Sequence, residues 1–256
     1  MKRKNVRLYH EQNFNDTPMN ALDQFEKFYF TVKCNRWYWV FSIFCRLSLA
    51  YAFFAAGMVK ILGERFASGL SAKVPMGAYL EALHHTGFYY TFIGITQVVA
   101  AILLLIPRTV LLGALLYFPI ILNICILSFA IRFEGSLVTA PLMVLANLFL
   151  LVWNYDRLKF ILPFRKFTNF SLFEKPQKYS KQFPYVFFLV VMSATILTIA
   201  ITEFSYDTMP RNSLEDCEQQ FKNTKNETAG CNFCDCIHNE GRPLEECLKD
   251  LEKVTK

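Results

Sequence analysis

Two groups of residues in this chain have types and spacings suited to chemistry. The first lies near the C-terminus and reads Cys231-x2-Cys234-x-Cys236-x-His238, with Cys217 before it and Cys247 after it. Thiolates this close together hold zinc or an iron–sulfur cluster, or they pair as disulfides. Ser213-Leu214-Glu215-Asp216 is a helix N-cap followed by acids and predicts a helix through Phe221. Pro243-Leu244-Glu245-Glu246 predicts another through Leu251. Cys217 and Cys247 ride on these helices with the 231–236 knot between them. A helical hairpin stapled by disulfides is therefore expected in preference to a metal site. Sequence alone does not give the pairing among Cys217, Cys231, Cys234, Cys236 and Cys247. The odd fifth thiol is left free, redox-active or bonded to another chain. Cys231-x2-Cys234 has the spacing of a thiol–disulfide pair, but no thioredoxin-like strand–helix context surrounds it.

The second group consists of polar residues inside long apolar blocks. Arg46 is the only charge in the middle of the first block. A charge in the centre of a membrane span costs at least about 2.5–3.5 kcal/mol, so it needs a polar partner, a headgroup or a function. Arg46, Ala50, Phe53, Gly57 and Lys60 share one helical face, and Gly57 admits close approach of another helix or a ligand. Gln97, Asn123 and Asn147 fall one on each of the next three blocks. Such amides hydrogen-bond across helices, or line one cavity together with Arg46, Gly57 and Lys60. Glu134 is placed to pair with Lys60, to relay protons, or simply to be a solvated turn residue. Adjacent His84 and His85 point to different faces and make poor paired metal ligands. Cys34, Cys45 and Cys125 read as inert small residues. No catalytic nucleophile stands out.

The elements that must position these groups follow from hydropathy. The chain has 256 residues, of which 54% are hydrophobic, and 26 are Phe. The mean hydropathy is +0.26. The apolar residues sit in blocks near the ~20 residues that cross a bilayer. Five spans are expected: Tyr38–Val59, Phe88–Ile106, Thr109–Ile131, Leu137–Trp153 and Pro184–Ile201. Trp37, Tyr38, Trp39, Tyr89, Tyr90, Trp153 and Tyr155 mark interfaces. The first apolar block is too long for a signal peptide and reads as a retained helix. Within the basic segment 1–37, Thr17-Pro18 opens a surface amphipathic helix through Leu22, Phe25, Phe28, Tyr29 and Val32. The expected organisation is this segment, a four-helix domain over 38–160, a basic linker over 161–183, a fifth span over 184–202, and a cysteine-rich module over 203–256. The fold class is all-α integral membrane.

With the N-terminus inside, cytoplasmic segments 1–37, 107–108 and 154–183 carry 7, 1 and 7 Lys/Arg, against 3 and 1 in the outer loops 60–87 and 132–136. The positive-inside rule then places the tail outside. The tail is acidic, with 7 Lys/Arg against 12 Asp/Glu from Glu203 onward. Clustered cysteines fit such an oxidising compartment. The lipid bilayer is the expected partner, in a bacterial inner membrane. No motif or basic face points to nucleic acid.

Residues 40–160 resemble the DoxX-like family of four-helix membrane proteins and, more distantly, the Surfeit-locus and methylamine-utilisation (MauE) families. The resemblance rests on Arg46-Leu47-x-Leu49-Ala50, Phe53-Phe54-x2-Gly57-x2-Lys60, Phe66, a Gly/Pro-rich outer loop, and Gln97 ahead of Leu103-Leu104-Leu105. It implies a redox-associated accessory subunit, linked to a quinone or to disulfide formation, that works beside a membrane or envelope redox protein. The family position matching Gln97 is often acidic, and the Cys-Gly-Cys-type motif of the MauE relatives is absent from the spans. A proton relay and direct membrane dithiol chemistry are correspondingly disfavoured. The alternative is a non-catalytic anchor or assembly factor that presents the cysteine-rich tail to an envelope partner.

Overall fold

The computed structural model describes residues 21–161 and 179–255, which are helical with one isolated β-bridge between Asn35 and Ser180. The start assigned to the amphipathic helix at Thr17-Pro18, and most of the 161–183 linker, lie outside these residues. Helix α1 covers Ala21–Lys33 and α2 Arg36–Ile61, with α3 (Pro75–His84) inside the loop that follows. Then come α4 (Phe88–Leu105), α5 (Val110–Ala130), α6 (Glu134–Leu137) and α7 (Thr139–Trp153). A short α8 (Tyr155–Leu158) precedes α9 (Tyr185–Phe204). The tail folds as α10 (Leu214–Gln219), α11 (Glu227–His238) and α12 (Leu244–Thr255). By length and composition, five of these runs are able to cross a membrane: Arg36–Ile61, Phe88–Leu105, Val110–Ala130, Glu134–Trp153 and Tyr185–Thr202.

Local chemistry sets the ends. Asn35 caps α2 by accepting from the Trp37 amide at 2.9 Å. Helix α4 stops before Pro107, which forces Ile106 into extended backbone (φ −82°, ψ 119°). Pro141 sits in the first turn of α7 and has no N–H for the preceding turn, which accounts for the break between α6 and α7. Pro119 is carried within α5.

Helices α2, α4, α5 and α7 form a four-helix bundle around Leu49, Phe53, Leu104, Ala114, Ile121 and Leu150. Two glycines hold α2 against α4. A Cβ on Gly57 would lie 2.7 Å from the Gly94 carbonyl oxygen, and one on Gly94 would lie 2.8 Å from that of Gly57. Such backbone contact is open only to the smallest residue. Phe53 stacks on Tyr117 across α2 and α5, with ring centroids 3.4 Å apart.

Helix α9 leans on the bundle at its two ends. Phe187 meets Tyr38, Phe41 and Phe149 at one end, and the Tyr206 hydroxyl just beyond the helix donates to the Phe129 carbonyl (3.0 Å) at the other. Between them Leu189, Val190, Met192, Ile196 and Leu197 are exposed. Lipid is the solvent such a surface suits.

The tail is a three-helix module with its own core of Phe221, Phe233, Ile237, Leu244 and Leu251. Two expectations are corrected here. Residues 231–236 are not a knot between two helices but part of a third helix, α11, which places Cys231, Cys234 and Cys236 along one rod. Cys231 is not a disulfide residue: the bridges are Cys217–Cys234 and Cys236–Cys247, and Cys231 remains a half-buried thiol. Residues 234 and 236 point to different sides of α11, so one faces α10 and the other α12.

The module docks on the end of the bundle formed by the 60–87 loop and the 131–136 turn. Lys73 donates to the Asn239 carbonyl at 2.7 Å, and Arg132 to that of Thr208 at 2.6 Å. Arg211 pairs with Glu134 at 2.5 Å. The partner of Glu134 is thus the tail, not Lys60.

Candidate functional site

The single pocket expected from Arg46, Gly57, Lys60, Gln97, Asn123 and Asn147 does not form. These residues occupy four separate places. Arg46 and Lys60 share a face of α2 but are fourteen positions apart, about 21 Å at 1.5 Å per residue. Lys60 lies at the module end, buried, donating to the Ala56 carbonyl (3.0 Å) and sitting 4.5 Å from the centre of the Phe66 ring. Asn123 is exposed on the outer face of α5. A shared cavity would have required it to face inward.

Gln97 and Asn147 do face the core, 2% and 0% exposed. Asn147 Nδ2 donates to the Ala114 carbonyl at 3.1 Å and ties α7 to α5. Gln97 packs its Cβ against Gly57. Gln97 Oε1, Asn147 Oδ1 and the Tyr117 hydroxyl are buried without a hydrogen-bond partner among the described residues. Tyr117 was not anticipated from sequence. It lies one turn from Ala114, and its ring packs on Phe53, one turn from Gly57. All three polar groups lie inside the bundle, where a buried polar group without a partner costs about 1–3 kcal/mol.

Arg46 belongs to a different feature, a cleft of about 180 Å³ at the end where α2 begins. Its walls include Lys33, Trp39, Ser42, Arg46, Trp153 and Asp156, with Arg157 and Tyr179 also on the lining. Arg46 Nε and Nη2 donate to the carbonyls of Leu104 (2.8 Å) and Leu105 (2.7 Å). These are carbonyls of the last turn of α4, which has no further helical N–H to bond them, so Arg46 acts as a C-cap supplied by another helix. Two of its five N–H groups are used in this way, leaving the rest of the guanidinium toward the cleft.

The floor of the cleft is fastened by a buried ion pair. Lys33 at the end of α1 meets Asp156 at 2.5 Å, and the Tyr29 hydroxyl donates to the same carboxylate at 2.8 Å. Burial alone would raise the Asp156 carboxyl, but the hydrogen bond and charge of Lys33 win and hold it below the usual carboxylate range. Burial pushes the Tyr29 phenol well up, so it stays a donor. This latch was also missed from sequence. The signal for it was the four-residue spacing of Tyr29 and Lys33, which puts both on one face of α1.

Among the described residues, no group of three or more His, Cys, Asp or Glu is placed to hold a metal ion.

The fold and its sites define the class: among the described residues, a helical protein with five long apolar helices, four of them bundled, and a separate disulfide-bridged helical module. Over 127 residues the chain is 35% identical to the uncharacterized protein YwoB of Bacillus subtilis (strain 168), covering 47% of this chain and 80% of that protein. The chain belongs to the YwoB family. No family model matches the chain. No solved structure matches it either.

Proposed function

We propose that this is a multi-pass membrane protein of DoxX-like type, a redox-associated accessory subunit whose ligand site is the cleft bearing Arg46. The observation that carries this reading is the convergence of cationic donors and aromatic walls at one membrane-level opening. Arg46 and Arg157 bring positive charge, while Trp39, Trp153 and Tyr179 supply flat apolar surface. That donor set fits the carbonyl oxygens and ring of a quinone headgroup, or a small anion. Trp39 and Trp153 are the residue type that settles at the headgroup level, where a lipid-borne headgroup arrives. A quinone held there would supply the redox chemistry, and the chain's own part is to bind and orient it. Gln97, Tyr117 and Asn147 then serve helix packing rather than ligand binding.

In this reading the cleft faces the cytoplasm and the cysteine module lies outside. The Lys/Arg distribution supports the orientation, and so does the grouping of the two outer loops with the disulfide-bridged tail.

The test is purification in mild detergent, extraction of co-purified quinone, and titration of added quinone against tryptophan fluorescence. Binding that weakens at least tenfold in Arg46→Ala is expected. Binding unaltered by that change in a folded variant removes the cleft assignment.

A second reading is favoured by a different observation, the three-point docking of a self-contained module. Here the bundle is an anchor and the tail binds an envelope partner. Removal of the chain after Ser205 separates the two: in the anchor reading function leaves with the module, in the cleft reading quinone binding stays with the bundle.

A further inference from the structure

The outer face of α5 carries a carboxamide that no described residue bonds. Asn123 is exposed, and no described residue makes a hydrogen bond to its side chain. It sits three residues past the centre of a 21-residue apolar helix, about 5 Å along the axis from the midpoint. A lipid headgroup does not reach that depth. Around it, Leu112, Leu116, Pro119, Asn123, Ile126 and Ala130 recur at alternating steps of four and three. This is the spacing of a seam between two helices. Of these, Leu116 is half-buried against the bundle core, while Leu112 is 57% and Ile126 61% exposed, so the seam is open on either side of Leu116.

We propose that this seam is closed by a second copy of the chain, with Asn123 of one copy hydrogen-bonded to Asn123 of the other. The proposal rests on the membrane reading above. Three features select a second copy as the occupant. Copies inserted in the same orientation place identical residues at identical depth, so each Asn123 meets its own counterpart. A carboxamide is self-complementary, since each donates through its nitrogen and accepts through its oxygen. The resulting two-fold contact is isologous and closes at two copies. A polar residue at one position of such a seam also fixes register, because sliding by a turn would leave both amides unpaired.

The experiment uses the full chain in phosphatidylcholine–phosphatidylglycerol proteoliposomes, with donor- and acceptor-labelled copies mixed at falling protein-to-lipid ratio. Energy transfer that saturates at a two-copy stoichiometry is expected. Asn123→Leu should weaken association about tenfold, while Asn123→Gln keeps most of it. Ile126→Trp, one turn away on the same seam, should weaken it as well, so the test survives if the leucine variant misfolds. Phe92→Leu, on the exposed face of α4, should change nothing. Transfer no higher than random proximity at every density, or a dimer indifferent to both seam variants, overturns the proposal. Alkaline carbonate extraction of the same liposomes tests the membrane reading separately. Protein released by carbonate refutes insertion, whereas retained monomer refutes only the dimer.

Discussion

The paired glycines of α2 and α4 allow a prediction worked from geometry. In Gly57→Ala the new Cβ would lie 2.7 Å from the Gly94 carbonyl oxygen and 2.8 Å from Val98 Cγ2. The first obstacle is backbone and cannot rotate away. Relief requires α2 and α4 to part by several tenths of an ångström, which costs about 1–3 kcal/mol in a packed core. Gly94→Ala meets Gly57 oxygen at 2.8 Å and Lys60 Cβ at 2.8 Å, so it costs a similar amount. The two changes demand the same helix separation. Once the first has forced it, the second adds little, and the double variant should fall short of the sum by about 1 kcal/mol or more. Reversible unfolding in mixed dodecyl-maltoside and SDS micelles, followed by helical circular dichroism, measures all three variants. Strict additivity, or single substitutions that cost nothing, would refute the backbone-contact picture of how these helices meet.

Other outcomes follow from the cleft and the tail. Arg46→Ala removes two charged hydrogen bonds to the end of α4 and should cost about 3 kcal/mol by the same unfolding assay. Arg46→Lys should recover only part of it, because an ammonium lacks the fork that spans two carbonyls. The folded Asp156 carboxyl titrates below its unfolded value. Its contribution is therefore complete above about pH 4 and lost as pH falls through the lower folded value. Melting of the wild type and Asp156→Asn should accordingly differ at pH 7 and converge in strong acid. Intact-mass analysis of the tail after alkylation without reduction should show one labelled thiol, Cys231. Cys217→Ser should lower the module's resistance to proteolysis by about 3 kcal/mol and leave bundle melting in place.

Much of the architecture was written in composition. Five apolar runs of spanning length emerge because nothing else explains such blocks, and Ser213 caps α10 by accepting from the Asp216 amide as its position implied. The site was read less well, for identifiable reasons. A helical wheel discards the axial coordinate, so Arg46 and Lys60 looked like neighbours while standing at opposite ends. In helices as uniformly apolar as α5 and α7, sequence does not say which side faces the core, so Asn123 on α5 and Asn147 on α7 were indistinguishable as amides although one points out and the other in. Tyr117 passed as an ordinary aromatic. Only its position one helical turn from the small pair Gly113-Ala114 hinted at the tight α5 face. Asp156 is more than 120 residues from Tyr29 and Lys33 in the chain, and only the fold brings it to them.

The contacts that seat the module differ in what they ask of it. Lys73 and Arg132 reach main-chain carbonyls, at Asn239 and Thr208, which any amino acid at those positions supplies. The Arg211–Glu134 pair, and the Arg132 guanidinium 4.5 Å from the centre of the Tyr206 ring, specify side chains on both partners. The bundle thus grips the main chain of its appendage together with two of its side chains, Tyr206 and Arg211. Evolution is free to rewrite the tail's surface for new tasks while the attachment persists.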